Sequence, residues 1–265
     1  ALPLSSLLAH SSGLPAIPAL ERHFASAASI DREKAIAALC SIQPERGPDE
    51  AVVYSCVGYM LLGLVLERLS GKLLGEFYRT EIAEPLGLPR ATFAPGISPT
   101  GEPLAIEGAA PTEFCAWRGR RVRGQVHDES AYCLGGQAGN AGLFVSLEDV
   151  RATASLLLED GTACGKALLG EESIAWLSHS TTEGLGERRT LGYRLNEPGC
   201  FMGPLWPASS LGHTGFTGTS LALSREKRMM AIILTNRVYY GREETMQKMA
   251  DFRIAFHSLA CEEFI

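Results

Sequence analysis

Two clusters of polar residues could carry out chemistry in this chain, and the first surrounds a tyrosine. Tyr54 directly precedes a long apolar segment and is followed by the small residues Ser55 and Cys56. A phenol whose pKa is lowered by neighbouring cations can act as a general base. The same pattern also fits a core tyrosine whose hydroxyl has a hydrogen-bond partner. The residues around Tyr54 leave both interpretations open.

The second cluster lies in residues 211–223, where glycines and hydroxylated residues precede an apolar run. Strand interiors avoid glycine unless another backbone or a ligand must approach closely. His213 and Thr214 lie near the start of this segment, and Gly215 and Phe216 follow them. The segment therefore predicts a strand edge against which a ligand or a second backbone lies.

Two helices are predicted after Tyr54, and the tyrosine directly precedes the first of them. Residues 57–69 predict a helix with apolar residues around nearly its whole circumference, which indicates burial on most sides. Gly71 fits the cap at its C-terminus. A second helix is predicted over residues 73–84, and it is expected to end where Pro85 begins a turn that runs to Pro89.

The remaining pattern predicts an α+β fold with segregated layers, in which helices and loops come first and antiparallel strands with a closing helix come last. Residues 91–145 are expected to form binding loops or a lid. Further helices are predicted over residues 4–16 (ending in a turn), 19–29, 32–39, 150–158, 170–179 and 243–264. Strands are predicted over residues 191–195, 209–213, 219–223 and 229–235, the last two as a hairpin. The whole chain, residues 1–265, is expected to be one domain, mainly helical over 1–185 and mainly strands plus a helix over 186–265.

Composition excludes several classes of protein. The hydrophobic content of 46% is ordinary for a globular protein. The net charge of −6 argues against a general nucleic-acid-binding protein. No apolar run is long enough to span a membrane. Seven scattered cysteines, an odd number without a C-x-x-C pair, favour reduced thiols and a cytoplasmic location. No group of residues has metal-ligand spacing, and neither a metal nor a cofactor is expected.

Two further groups have open or weak interpretations. Four arginines within six residues predict either a solvated loop or an anion-attracting rim: Arg118, Arg120, Arg121 and Arg123. The polar triplet at residues 127–129 is not expected to bind a metal, and the glycine-rich run at residues 135–142 is not expected to hold a phosphate, because no Lys-Ser/Thr follows it.

Three segments occur in the order and rough spacing of one family. They are residues 7–15 (Leu-Leu-Ala-His-Ser-Ser-Gly-Leu-Pro), residues 54–63 and the His-Thr-Gly at residues 213–215. On these motifs the chain resembles the serine β-lactamase and penicillin-binding-protein superfamily, and within it the class C β-lactamase, DD-peptidase and family VIII esterase branch. The resemblance runs from residue 1 to about 255. It implies a β-lactamase-like fold, with an antiparallel sheet flanked by helices and a mainly helical and loop subdomain.

The resemblance also implies roles for single residues. The family uses a nucleophilic Ser-x-x-Lys, a Tyr-x-Asn and a Lys/His-Thr/Ser-Gly strand. Tyr54 matches the tyrosine that accepts the proton of the nucleophile and returns it to the leaving group. His213 and Thr214 match strand residues that hold a substrate carboxylate or help to lower the pKa of the tyrosine, and Gly215 completes that strand. The backbone N–H of Phe216 matches one oxyanion donor.

Two departures from the family pattern matter. Cys56 stands where the family has Asn, and a thiol cannot supply the paired donor and acceptor of an amide to a substrate. Cys56 is either a small buried hydrophobe or a substitute nucleophile. The Ser-x-x-Lys from Ser224 to Lys227 falls in a predicted solvated hairpin turn, which cannot provide the Ser–Lys pair of a buried helix. The resemblance implies instead a nucleophile upstream of residue 1 and a fold that is N-terminally incomplete.

The sequence thus predicts a serine hydrolase that forms an acyl-enzyme on a small-molecule ester, amide or β-lactam. Cys56 favours an esterase or an unassigned hydrolase over an efficient β-lactamase. The alternative is a catalytically silent binding module that keeps the cleft but lacks the nucleophile. Specificity in such a fold resides in the loops, so the sequence predicts classes of substrate and not the individual substrate. It predicts no oligomeric state.

Overall fold

The computed structural model describes residues 2–88, 90–98, 102–242 and 245–263. The chain divides into two compact units, Ala1–Ser146 and Leu147–Ile265. Both contain helices together with antiparallel strands, which confirms the α+β class. The single domain predicted from the sequence, with its change of character at residue 185, stays a prediction. No helix in the described ranges is long and apolar enough to cross a membrane.

The first unit consists mainly of helices and loops. Its helices are α1 (Leu4–Leu8), α2 (Arg32–Ser41), α3 (Cys56–Ser70), α4 (Leu74–Tyr78), α5 (Glu84–Leu86) and α6 (Glu129–Cys133). Within the long loop region, β1 (Phe114–Cys115) pairs antiparallel with β2 (Arg120–Arg121). The loop prediction for residues 91–145 holds for most of this region, but it missed α6, and residues 99–101 lie outside the described ranges.

The helix predicted over residues 19–29 is wrong. Two 3₁₀ turns, Leu20–His23 and Ala27–Ser29, stand in its place. Ala19 has a left-handed φ of 49° and Ser26 has an extended φ of −157°. Neither conformation can continue an α-helix, so the alanine content of this segment did not decide its structure.

The helix that follows Tyr54 is present, but its burial was predicted wrongly. The Ser55 hydroxyl caps α3 by accepting the Gly58 N–H at 3.2 Å, and Gly71 ends the helix with a φ of 68°. Leu66 is 40% exposed and Leu69 is 78% exposed. The buried residues lie in the N-terminal half of the helix: Val57, Gly58, Met60 and Gly63. The end that carries Tyr54 is therefore the anchored end.

The second predicted helix runs further than expected. After α4 the chain forms a π-helical turn over Arg79–Ala83 and continues into α5, which contains Pro85. Pro85 has no N–H to donate, and the turn directly before it departs from regular α-helical hydrogen bonding by being π-helical. Gly87, with a φ of 65°, ends the helix. Pro89, the predicted end of this turn, lies outside the described residues.

The four clustered arginines differ in burial, so they do not form a single solvated loop. Arg118 is buried, its guanidinium lies 4.1 Å from the ring centroid of Tyr132, and it donates to the carbonyls of Val126 and His127 at 2.7 and 3.0 Å. It therefore holds the loop together from within. The other three are exposed, which fits both a solvated loop and an anion-attracting rim: Arg120, Arg121 and Arg123.

The second unit contains a four-stranded antiparallel sheet in the order β5–β6–β7–β8. The strands are β5 (Arg194–Leu195), β6 (Leu211–Thr214), β7 (Ser220–Ser224) and β8 (Met229–Ile233), preceded by a small hairpin of β3 (Thr162–Ala163) and β4 (Lys166–Ala167). The predicted hairpin of the last two strands is confirmed. The helices are α7 (Leu147–Leu158), α8 (Glu171–Ser178) and α9 (Met246–Glu263). The predicted ends of the closing helix, residues 243 and 264, lie outside the described residues.

The sheet buries both of its faces, and this fixes how β6 is oriented. Side chains alternate between faces along a strand. One face packs on α7 and α8 through a cluster that includes Leu157, Ile174, Leu195, Leu211 and Leu223. The other face packs on a cluster that includes Phe201, Met202, Trp206, Ala222 and Cys261. By this alternation His213 shares a face with Leu211, and Thr214 shares a face with Gly212.

Candidate active site

Tyr54 lies at the surface of the first unit. Its side chain is 45% exposed, so the interpretation as a core tyrosine is wrong. It stands directly before the N-cap of α3, and its ring centroid lies 4.4 Å from that of His10. A partly exposed phenol on an anchored helix end has the access that a general base needs.

The backbone around Tyr54 is fixed by the segment of residues 10–16. The Ser55 hydroxyl donates to the carbonyl of Pro15 at 2.7 Å, and the Cys56 N–H donates to the carbonyl of Ala16 at 2.9 Å. These bonds join two segments 40 residues apart in sequence. The Ser-Ser-Gly-Leu-Pro turn and the tyrosine therefore form one local structure.

Cys56 has the properties of a protonated thiol. Burial raises its pKa to about 11, and the nearby charge of Asp128 acts in the same direction, against a hydrogen bond with Asn140 that lowers it. At pH 7 a thiol with this pKa has a thiolate fraction on the order of 10⁻⁴. Because the thiolate is the nucleophilic form, the raised pKa argues against Cys56 as a substitute nucleophile.

Two neighbours of Cys56 had no role in the sequence-based prediction. Asp128 caps α6 by accepting the Ala131 N–H at 2.6 Å, and burial raises the pKa of its carboxyl group. Asn140 lies in a loop that lines a cavity of about 280 Å³, and its Oδ1 is buried without a hydrogen-bond partner among the described residues. Asn140 belongs to the glycine-rich run at residues 135–142, which was not expected to hold a phosphate and in which Asn140 itself had no predicted role.

The glycine in β6 is explained by the neighbouring strand. A Cβ on Gly212 would lie 2.2 Å from the carbonyl oxygen of Leu221 and 2.9 Å from the ring of Phe201. Such contacts exclude any side chain at this position. The sequence predicted that either a second backbone or a ligand comes close to this strand. At Gly212 it is the backbone of the neighbouring strand.

His213 is held as a neutral imidazole. Burial lowers its pKa to about 4, and the positive charge of Arg189 contributes in the same direction. Nδ1 lies 2.9 Å from the carbonyl oxygen of Thr214. Because a carbonyl can only accept, Nδ1 carries the proton in this contact. At pH 7 His213 can therefore exchange hydrogen bonds, but it does not supply a full positive charge.

The turn that carries Phe216 is braced by two arginines. The Gly218 N–H donates to the carbonyl of Gly215 at 3.1 Å, which closes the turn. Arg253 donates to that same Gly215 carbonyl at 2.7 Å, and Nε of Arg237 donates to the carbonyl of Phe216 at 2.8 Å. The Phe216 side chain is 51% exposed, and its ring lies 4.7 Å from the Arg237 guanidinium carbon. The backbone here is fixed, as an oxyanion donor requires.

The Ser-x-x-Lys sequence at the hairpin differs from the prediction in one respect. Ser224 is buried at the end of β7, and not solvated as predicted. Its hydroxyl accepts the backbone N–H of Lys227 at 3.1 Å, whereas the Lys227 amine donates to the thiol of Cys261 at 3.5 Å. The amine is thus directed away from the hydroxyl that it would have to activate.

The predicted site residues divide between the two compact units. Tyr54 and Cys56 are adjacent in the first unit, at the start of α3. The second unit holds the other four on the end of β6 and its turn: His213, Thr214, Gly215 and Phe216. Within the described ranges, no group of three or more His, Cys, Asp or Glu residues could hold a metal ion.

Comparison with known proteins gives a consistent family. The Beta-lactamase family model matches residues 1–256. A putative D-alanyl-D-alanine carboxypeptidase of Escherichia coli K12 is 31% identical over 250 residues, which cover 89% of this chain and 57% of the relative. Its counterpart in Salmonella agona is 29% identical over the same shares of both chains. The chain thus spans little more than half the length of these curated relatives.

Solved structures confirm the β-lactamase-like fold. A β-lactamase from Mycobacterium bovis matches with a TM-score of 0.64 at 17% identity, covering 98% of this chain and 74% of that chain. A penicillin-binding-protein homologue from Caulobacter crescentus matches with a TM-score of 0.64 at 17% identity, covering 97% and 71%. At these identities the likeness concerns the fold.

Proposed function

Because this chain belongs to the beta-lactamase family, we propose that the full-length protein is a serine hydrolase that acts through an acyl-enzyme. The observation that carries the proposal is Tyr54, a partly exposed phenol on the anchored end of α3. The silent binding module is not favoured, since the chain matches a family and relatives that are named as hydrolases.

Four of the predicted residues receive roles in the proposed reaction. Tyr54 accepts the proton of the nucleophilic serine and returns it to the leaving group. The Phe216 N–H stabilises the oxyanion that develops on the substrate carbonyl. Thr214 and His213 bind the substrate, and the neutral imidazole does so by hydrogen bonding and not by charge. The nucleophile belongs to the family's Ser-x-x-Lys motif, which we place upstream of residue 1.

The proposed substrates are small esters, amides or β-lactams. The first amide to test is a peptide that ends in D-alanyl-D-alanine, because the Escherichia coli relative is named as a putative carboxypeptidase for it. Cys56 bears on the choice between ester and amide substrates. An Asn side chain at this position could both donate a hydrogen bond to the acyl-amide group of a substrate and accept one from it, whereas a thiol cannot. An ester substrate without an acyl-amide group loses no hydrogen bond when Cys replaces Asn at position 56.

We expect Cys56→Asn to change the substrate preference of the full-length protein. The ratio of kcat/KM for a D-alanyl-D-alanine peptide to kcat/KM for p-nitrophenyl acetate should rise by about 10-fold, the scale of one hydrogen bond of about 1 kcal/mol or slightly more. Initial rates with both substrates measure the ratio.

Cys56→Ser is the matched control, since it is equally small and has no amide; its ratio should stay within about threefold of that of the wild type. An unchanged ratio in Cys56→Asn would remove Cys56 from the substrate-binding residues. A protein that hydrolyses neither substrate class would contradict the proposed function itself.

The thiols bear on where the protein acts. None of the seven cysteines forms a disulfide. Because disulfides are rare in reducing compartments and common in oxidising ones, we propose a cytoplasmic location. A cytoplasmic enzyme would encounter small soluble esters and amides, which are the substrate classes proposed above.

A further inference from the structure

We propose that His10 is a positioning residue that sets the orientation of the Tyr54 phenol, a role that rests on the proposed function of Tyr54. His10 lies 44 residues before Tyr54 in sequence, in the Leu-Leu-Ala-His-Ser-Ser-Gly-Leu-Pro segment. The inference follows from three contacts that His10 makes around the tyrosine, described in turn below.

The first contacts are two hydrogen bonds to the neighbours of Tyr54 in sequence. The Val53 N–H donates to the carbonyl oxygen of His10 at 2.8 Å. The Ser55 N–H donates to Nδ1 of the His10 ring at 2.9 Å. One residue therefore holds the backbone immediately before and immediately after Tyr54. This fixes the direction in which the Tyr54 side chain leaves the chain.

The third contact is between rings. The His10 ring contacts two tyrosine rings, and its centroid lies 4.4 Å from that of Tyr54 and 4.7 Å from that of Tyr59. Tyr59 is itself fixed, because its hydroxyl donates to the carbonyl of Leu8 at 2.8 Å. His10 is 2% exposed, so it cannot move away from the Tyr54 ring without leaving its buried site.

The backbone of His10 is adapted to this task. His10 has a left-handed φ of 59°. This conformation is unfavourable for most residues, but His, Asn and Asp adopt it several times more often than the average non-glycine residue. It allows the carbonyl and the ring of the same residue to reach Val53 and Ser55. The conformational cost is compensated by the contacts that it permits.

The hydrogen bond to Ser55 also specifies the state of the imidazole. Nδ1 can accept the Ser55 N–H only if it carries no proton, so His10 is the neutral tautomer with its proton on Nε2. The Ser55 residue is 1% exposed. Removal of the acceptor would leave a buried N–H without a partner, next to the proposed base.

The test replaces His10 in the full-length protein with two residues that both tolerate a positive φ. Asn keeps an acceptor close to the position of Nδ1, whereas Gly provides none. We expect His10→Gly to lower kcat by about 10-fold or more with KM changed by less than about threefold, because a displacement of about 1 Å of a catalytic group costs up to 10²-fold. His10→Asn should recover most of the lost kcat.

Two results would overturn the inference. Wild-type kcat in folded His10→Gly would show that Tyr54 does not need the contact. Equal loss in His10→Asn and His10→Gly, with equal melting temperatures, would show that the acceptor is not responsible. Tyr54→Phe, measured in parallel, distinguishes failure of the proposed role of Tyr54 from failure of the proposed role of His10. If Tyr54→Phe keeps the wild-type rate, both proposals fail. If Tyr54→Phe loses the rate and His10→Gly does not, only the inference fails.

A second measurement observes the wild-type protein, and a variant serves only to assign the signal. In wild-type protein with ¹⁵N-labelled histidine, the ring nitrogen shifts report which nitrogen of His10 is protonated, and the His10→Asn spectrum assigns the signal. We expect an unprotonated Nδ1 at pH 7, together with slow hydrogen exchange of the Ser55 amide. A protonated Nδ1 or a rapidly exchanging Ser55 amide would contradict the hydrogen bond from the Ser55 N–H to His10 Nδ1 on which the inference rests.

Discussion

Tyr54→Phe in the full-length protein is expected to lower kcat/KM by about 10²-fold or more, because positioned acid–base groups contribute 10²–10⁴-fold to rate. The substitution removes the hydroxyl and keeps the ring that packs against His10 at 4.4 Å. The helix cap at Ser55 is untouched, so the melting temperature should stay within a few degrees of that of the wild type. Initial rates with an ester substrate measure the effect.

Tyr240→Phe is the matched control for this prediction. It removes the same hydroxyl from a side chain that is 92% exposed in the second unit. Its kcat/KM should equal that of the wild type within about twofold, since exposed substitutions away from special features change little. If Tyr54→Phe is as active as Tyr240→Phe, Tyr54 is not the base.

The second large effect is expected at the proposed oxyanion donor. Phe216→Pro removes the backbone N–H and should lower kcat by about 10²–10³-fold, the loss found when one such donor is removed. The turn should survive, because its closing bond runs from the Gly218 N–H to the Gly215 carbonyl. Proline is also favoured at the second position of a turn, and Phe216 does not have a positive φ.

Phe216→Ala separates the N–H from the aromatic ring. It keeps the N–H and loses only the ring beneath Arg237, so its kcat should fall by less than about 10-fold, while its KM is free to change. If the alanine and proline variants lose the same activity, the ring and not the N–H is responsible. Circular dichroism at 222 nm and a melting curve confirm that both variants are folded.

Much of the fold could be predicted from local sequence. α3 followed from an apolar run that ends at a glycine cap, and the β7–β8 hairpin followed from two apolar runs around a polar turn. Burial could not be predicted in the same way. The apolar circumference of α3 suggested burial on most sides, yet Leu69 is 78% exposed. Periodicity describes a helix alone, whereas burial depends on what packs against it.

The candidate site shows a similar division. The positions of Tyr54, His213 and Phe216 followed from motifs, but their electrostatic states required the structure. The lowered pKa of His213 comes from burial and from Arg189, which lies 24 residues away in sequence. His10 lies in one of the motifs that carry the family resemblance, but no role for it could be predicted from the sequence. Its contact with the Ser55 N–H joins residues 45 positions apart, which local sequence cannot reveal.

The measurement that tests the central claim most directly is intact-mass spectrometry of the full-length protein after treatment with a fluorophosphonate or a penicillin. Acyl-enzyme chemistry predicts one covalent adduct per chain, mapped to a serine, that forms at least 10²-fold more slowly in Tyr54→Phe. The adduct should persist unchanged in Cys56→Ser, because the Cys56 thiol is protonated at neutral pH. A folded protein that forms no adduct with either reagent would contradict the account and support the silent binding module.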